Sequence, residues 1–407
     1  MSHRYRAYPS PTVKQVCLRH IGESRWVWNA AIAAVKAHAK DENVPYFDLT
    51  TARREIEWLA DGSSSVQQQA LRDLQQAFAN AKRGTHRFPT WRKRGENESF
   101  CVRDVAVTPL NRKWAELTIP KAGKLRFKLS RPLPTTYGMA RVTHSSDGQW
   151  YVSFSAMQAP VLREPTGAIV GIDRGVTTTL VLSDGQTLRA AKMRPREARR
   201  IGRLQRQLSR QQKGSGRRSK TKTRIAKEHA SVARRRKNWV ERTTTRLVRD
   251  YDVIVLEDLR VKNMVKAPAP LKDPDNPGQY FRNGARAKAG LNRAILQQGW
   301  SMFGTRLEQK AAASGVTVLK INPAYTSQQC RNCSYTAKEN RESQAVFLCV
   351  SCGHTNHADI NAAENILARG LHVFAPTPGH GASQGHLAAR RSLTPVNSEN
   401  SLEGEAA

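Results

Sequence analysis

Three carboxylates and four thiols are the side chains of this chain whose types and spacing could do chemistry. Asp173 closes the run Ala168-Ile169-Val170-Gly171-Ile172-Asp173, which reads as a short buried strand carrying a carboxylate at its end. Leu180-Val181-Leu182 and the turn pair Asp184-Gly185 follow, so this strand should belong to a hairpin sheet. Val253-Ile254-Val255-Leu256 repeats the pattern and ends in Glu257. Laid parallel, the two strands would present Asp173 and Glu257 at one edge. Asp258 is the rival, sent to the opposite face by strand alternation. The third acid, Asp359, falls in the first turn of a helix that starts near His357-Ala358, where the helix dipole favours the ionised form. Three converging carboxylates repel one another unless divalent cations sit between them, and oxygen-only donors suit Mg²⁺ or Mn²⁺. Two such ions, roughly 3.5–4 Å apart, activate a water and stabilise the leaving 3′ oxygen in phosphodiester hydrolysis.

The thiols have a different signature. Cys330 and Cys333, then Cys349 and Cys352, form two Cys-x2-Cys knuckles separated by 15 residues, the spacing of one structural Zn²⁺ held between the ends of a hairpin. Four thiolates leave no open coordination position, so this metal serves folding rather than catalysis. Cys17 and Cys101 have no partners in the sequence and read as buried, inert thiols.

The rest of the chain has to position these groups, and its charge says what they work on. The 407 residues carry 67 Lys and Arg against 33 Asp and Glu, a formal charge of +34. A polyanion partner is expected for such a chain, and nucleic acid is the natural one. No apolar run reaches the ~18 residues of a membrane span, so no membrane association is expected. The opening Met1-Ser2-His3-Arg4-Tyr5-Arg6 lacks a signal-peptide stretch, which predicts a cytoplasmic, reducing location.

Residues 1–12 suggest one strand, and 13–82 are helical in pattern. Leu18, Ile21, Trp28, Ile32 and Val35 make one stripe; Val66, Ala70, Leu74, Ala77 and Ala81 make another, preceded by possible caps at Ser63-Ser64-Ser65. Between 83 and 100 basic residues interleave with His86, Phe88 and Trp91, a composition suited to phosphates and stacked bases. From 101 to 160 the period falls to two, with Trp114/Leu117/Ile119, Leu125/Phe127/Leu129 and Trp150/Val152/Phe154 on short strands of a small barrel or sandwich. Residues 189–242 hold 21 Lys or Arg and three acids, and Gly214-Ser215-Gly216 breaks them into two long antiparallel helices. Such density calls for a phosphate backbone alongside, with Arg217, Arg218, Arg235 and Arg236 as candidate contacts. The proline-bearing stretch 261–290 reads as a mobile loop, and 371–407 as a disordered tail.

In this order the motifs resemble the TnpB family, the transposon-encoded relatives from which type V CRISPR nucleases descend. The matching pieces are Gly171-Ile172-Asp173-Arg174-Gly175, Leu256-Glu257-Asp258-Leu259, Pro323-Ala324-Tyr325-Thr326-Ser327, the two knuckles with Gly353-His354, and Ala358-Asp359-Ile360-Asn361-Ala362-Ala363. Arg6-Ala7-Tyr8-Pro9 is similar to the family's opening strand. The resemblance implies a multidomain α+β and α/β protein. It would have a wedge β-barrel (1–12 and 101–165), an inserted helical recognition lobe (13–100) and an RNase H-like RuvC nuclease (166–324 and 356–370, with the basic hairpin 189–248). A zinc ribbon that binds target nucleic acid (325–355) would interrupt the nuclease. It further implies a guide RNA in the basic channel and cutting of double- and single-stranded target DNA by Asp173, Glu257 and Asp359 after a short flanking motif is read. Arg6, Tyr8, Arg92 and Lys93 are then candidates for guide or motif contacts. One departure is Ser334, where the family usually has Gly after the first knuckle; a left-handed Ser costs ~1 kcal/mol. A compact type V CRISPR effector of the same chemistry, a non-cleaving RNA-guided regulator or transposition accessory, and a guide-free junction nuclease stay open as alternatives. One or two molecules per RNA both fit.

Overall fold

The structure, a computed structural model, describes residues 2–374 apart from 97, 157–159, 275 and 277. Strand β1 (Ser2–Tyr8) opens the chain, and Ser10 caps the 28-residue helix α1 (Pro11–His38) by accepting from the Val13 amide at 3.3 Å. Helices α2 (Leu49–Glu55), α3 (Glu57–Ala60) and α4 (Ser64–Lys82) follow. Asp48 caps α2 through the Thr50 and Thr51 amides, whereas the Ser63 hydroxyl ahead of α4 turns to Ser65 instead. Helix α1 buries Cys17, His20, Ile21, Ser24, Val27 and Trp28, and leaves Leu18 exposed. The expected stripe is therefore rotated by about one residue, because α1 packs against both a sheet and α4 and needs a broader buried face.

Strands β2 (Ser99–Val102), β3 (Val107–Asn111), β4 (Trp114–Ile119), β5 (Gly123–Lys128), β6 (Ala140–His144) and β7 (Trp150–Ser155) join β1 in one antiparallel sheet of order β2-β6-β7-β1-β5-β4-β3. No ladder joins β2 to β3 among the described residues, so the hydrogen bonding is that of an open sheet. Its core stacks Tyr5, Phe127 and Phe154 with ring centroids 5.6–5.9 Å apart. Trp114 corrects the sequence reading: Ala115, Leu117 and Ile119 face inward, while Trp114 turns to the other face and meets Tyr8 edge-on at 5.3 Å.

Next come β8 (Ile169–Asp173), β9 (Leu180–Leu182), β10 (Thr187–Leu188), α5 (Pro195–Ser209), the 35-residue α6 (Gly216–Asp250) and β11 (Val253–Glu257). After them lie α7 (Val261–Met264), the hairpin β12–β13 (Leu271–Lys272, Tyr280–Phe281), α8 (Ala285–Gln298), α9 (Trp300–Ser314) and β14 (Thr317–Ile321). The chain finishes with β15 (Val346–Leu348), β16 (Thr355–His357) and α10 (Ala358–Phe374). The stretch read as a mobile loop thus holds a helical turn and a hairpin, tied by Lys288 to the Met264 carbonyl at 2.8 Å and Asn283 to that of Ala269 at 2.7 Å. Residues 371–374, assigned by sequence to the tail, finish α10; 375–407 lie outside the described residues.

Compactness divides the chain into two units. The first comprises Met1–Thr166, Arg189–Asp252 and Val261–Val316; the second comprises Gly167–Leu188, Val253–Arg260 and the described chain from Thr317 on. The basic hairpin groups with the first unit, whereas the sequence bounds attached it to the nuclease domain. The second unit is built on a five-stranded sheet, β10-β9-β8-β11-β14, in which β8, β11 and β14 run parallel. Gly185, at φ 85°, makes the expected turn from β9 to β10.

Candidate functional site

Everything that positions the three acids belongs to the second unit. The β8–β11 register pairs Ile172 with Leu256, so Asp173 and Glu257 follow at one level on neighbouring parallel strands. Helix α10 crosses the same sheet face. A β-carbon on Gly171 would lie 2.2 Å from the Ala363 carbonyl oxygen, and one on Gly370 would lie 2.5 Å from both methyls of Val255. Gly171 and Asp173 share a face of β8, as Val255 and Glu257 share a face of β11. Both carboxylates therefore point to the side that α10 covers. Asp258, the residue after the strand, is exposed, whereas Glu257 is buried. Asp359 sits in the first turn of α10, its amide donating to His357 Nδ1 at 3.2 Å.

The electrostatics at Asp173 register both of the other acids. Burial, then repulsion from Glu257 and Asp359, pushes the Asp173 carboxyl up to about 7. Burial also raises Glu257, against the opposing pull of the Thr326 hydroxyl, Arg174 and Arg369. The Thr326 hydroxyl donates to Glu257 Oε1 at 2.8 Å. Arg174, itself lowered by burial, donates to the Glu257 carbonyl, and Arg341 pairs with Asp359 at 2.8 Å. These supporting groups escaped the sequence reading. Arg174 and Thr326 stand inside the motifs it quoted; Arg341 had no local signal. Three carboxylates offer hard oxygen donors, which suit divalent cations and no softer metal, although among the described residues it is the cysteine quartet whose ligand atoms all lie within 4.8 Å of one another.

The four cysteines come together as the spacing predicts, with all their sulfurs within 4.8 Å of one another. The knuckles match: Ser334 N–H donates to the Cys330 carbonyl at 3.0 Å, and Gly353 N–H to that of Cys349 at 2.9 Å. Ser334 and Gly353 both adopt left-handed backbone, at φ 63° and 67°, so Ser takes the geometry for which Gly is suited. The His354 amide and then the Cys333 thiol lower Cys352 to about 6. Cys333, though favoured as a thiolate by the Tyr335 amide, is pushed up to about 12 by Cys352 and by burial. Four crowded thiols that cannot all ionise alone are suited to a closed Zn²⁺ site.

The basic candidates divide into exposed and internally engaged groups. Arg6, Tyr8, Lys93 and Arg217 are exposed. Arg92 instead lies 3.7 Å over the Trp28 ring and is lowered to about 10, chiefly by burial. Arg218 bonds the Leu208 and Gln211 carbonyls at the end of α5, and Arg235 clamps Glu197 at 2.6 Å. Arg236 runs across Gly299, its Cδ 2.9 Å from where a β-carbon would stand.

Comparison with known proteins places these features in company. Family models match three stretches: "Helix-turn-helix domain" over 1–42, "Probable transposase" over 154–267 and "Cas12f1-like, TNB domain" over 300–366. The first of these covers β1 and the single continuous helix α1. InsQ of Escherichia coli (strain K12), named as a candidate RNA-guided DNA endonuclease, is 37% identical over 368 residues, 88% of this chain and 89% of its own. A Streptomyces pristinaespiralis protein named in the same terms is 30% identical over 384 residues, 91% of this chain and 90% of its own. Among solved structures, a Cas12f1–sgRNA–target DNA complex shares the fold with a TM-score of 0.51 at 12% identity, covering 90% of this chain and 98% of that one. No helix among the described residues is long and apolar enough to cross a membrane.

Proposed function

The chain belongs to the TnpB family, and from that premise we infer that it is an RNA-guided DNA endonuclease with one cutting site, made of Asp173, Glu257 and Asp359. What supports the site is the placement of the three acids: the β8–β11 register sets Asp173 and Glu257 at one level, and α10, packed on Gly171, carries Asp359 in its first turn, in keeping with the raised Asp173 carboxyl. Those carboxylates would hold two Mg²⁺ or Mn²⁺ ions, which when bound supply water activation and stabilisation of the departing 3′ oxygen. The chain's own residues do the rest. Glu257 is oriented by Thr326, Asp359 is fixed by the start of α10, and Arg341 brings positive charge to the side on which a phosphodiester must lie. The ribbon 325–355 carries one structural Zn²⁺ on Cys330, Cys333, Cys349 and Cys352 and engages target strand in this reading. The wedge and recognition lobe in 1–165 would read the flanking motif, and the hairpin 189–248 would lie along the guide RNA. The protein works in the cytoplasm, one or two copies per RNA.

The test is cutting of a guide-matched plasmid by protein purified with its RNA. Asp173→Asn is expected to leave RNA bound and the plasmid intact; a variant that still cuts removes the site assignment.

A further inference from the structure

Helix α10 presents a column of polar side chains to the segment that runs from β14 into the first zinc knuckle. Asn361, Asn365 and Arg369 are spaced by four and so stack on one face. Asn361 Nδ2 donates to the Gln329 carbonyl at 2.8 Å while its Oδ1 accepts from the Arg331 amide at 3.0 Å. Asn365 Nδ2 donates to the carbonyls of Thr326 at 3.0 Å and Gln329 at 2.7 Å, and Arg369 reaches the Ala324 carbonyl at 2.6 Å. Asn361, Asn365 and Thr326 are all buried. The segment is thus pinned at several points, and Thr326 is the residue it holds against the acidic site.

The Thr326 hydroxyl has one proton and two acceptors, Glu257 Oε1 at 2.8 Å and the Pro323 carbonyl at 3.1 Å. The carboxylate oxygen is the nearer acceptor, so it receives the stronger hydrogen bond from the hydroxyl. Glu257 Oε1 is thus the oxygen that Thr326 holds. The neighbouring Tyr325 has a left-handed backbone, φ 63°, unusual for a residue with a side chain. Strain of that kind persists where surrounding contacts over-determine the conformation, as the α10 column does here.

We propose that Thr326 is a positioning residue for catalysis: its hydroxyl fixes the rotamer of Glu257, and Asn365 on α10 fixes Thr326, so the knuckle segment sets how well Glu257 binds a divalent ion. This rests on the reading of Glu257 as a metal ligand. Outer partners of metal-binding carboxylates are worth about 10- to 100-fold in metal affinity.

The experiment uses the guide-loaded protein, with Mn²⁺ binding followed by the loss of the free-ion paramagnetic resonance signal, and zinc content measured in parallel. Wild type, Thr326→Ser, Thr326→Cys, Thr326→Val and Glu257→Gln are compared. Thr326→Val is expected to raise the Mn²⁺ dissociation constant by about 10- to 100-fold with zinc still at one per chain, and Thr326→Ser to stay near wild type. Thr326→Cys, a weak donor of similar size, is expected to fall between them. Cleavage should shift in parallel toward higher metal at half-maximal rate, with the rate recovering at saturating metal. Thr326→Val that binds Mn²⁺ like wild type overturns the proposal. Should that variant lose its fold, Thr326→Cys decides, and equality of Cys with Ser overturns it. A wild type whose Mn²⁺ binding is indifferent to Glu257→Gln defeats the underlying nuclease-site reading instead, a result distinct from either.

Discussion

Gly171 on β8 and Ala363 on α10 are in backbone contact, so close that a single β-carbon at position 171 would stand 2.2 Å from the Ala363 carbonyl oxygen. That approach sets the height of α10 over the sheet, and with it the distance from Asp359 to Asp173. Gly171→Ala is expected to force the helix outward and destabilise the second unit by about 1–3 kcal/mol, the usual range for overpacking. Cutting should fall further than stability, since Asp359 moves with the helix. Thermal melting read beside plasmid cleavage checks this; an unchanged melting point would show that the helix is not held by that contact.

The acids make a pH prediction with a definite sign. In the metal-free protein, burial and then Glu257 and Asp359 hold Asp173 up to about 7 against an ordinary 3.8. The folded chain keeps a proton that the unfolded chain releases. This group's contribution to stability is therefore fully present below pH 3.8 and is lost as pH rises through about 7. The melting temperature in divalent-free buffer should decline across that window, and Asp173→Asn should flatten the decline. Added Mn²⁺ should recover more stability at pH 8 than at about 6, because binding requires the carboxylate. A wild-type profile as flat as the variant's contradicts the reading.

Much of this site was legible in the sequence, for reasons that also explain what was not. Asp173 and Glu257 stand at the ends of continuous apolar runs, and a parallel strand buried on both faces has to look like that. The knuckles and the break at Gly214 are local signals of the same kind. Arg341, by contrast, meets Asp359 through the folding of the ribbon, and Thr326 meets Glu257 across 69 residues of sequence. Nothing in either neighbourhood announces the partner. Leu18 and Trp114 were misplaced for a related reason: each sits in a locally apolar pattern, but which side is inside depends on a second element packed against it. The polar column of α10 carries no local sign of its partner either, and its asparagines are buried where the β14–knuckle segment lies on them.

Zinc removal should be felt at the acids. Cys330, Phe347 and Cys349 form one buried cluster with Ala358, the residue directly before Asp359. Cys349→Ser is expected to drop zinc from one per chain toward none, loosen the ribbon and release the start of α10. Cleavage should fall by at least about tenfold while RNA still co-purifies, since the basic hairpin lies in the other unit. Metal analysis, limited proteolysis across 325–355 and a cleavage assay follow the three consequences separately. Full cutting by zinc-free protein would sever the ribbon from the acidic site.

Arg217 and Arg235 lie on the same helix and should respond differently to loss of charge. Arg217 is exposed and free to face a phosphate, while Arg235 holds Glu197 at 2.6 Å and so joins α5 to α6. Arg217→Ala is expected to weaken RNA binding evenly across sequences and to lower the slope of log affinity against log salt by about one. Arg235→Ala removes a partly exposed ion pair, so it should cost about 0.2–1 kcal/mol of stability and change the salt slope less. Filter binding at several salt concentrations, with melting curves for both variants, separates a phosphate contact from a strut. If both variants lower the slope equally, Arg235 releases Glu197 to engage RNA, and the hairpin rearranges when it binds.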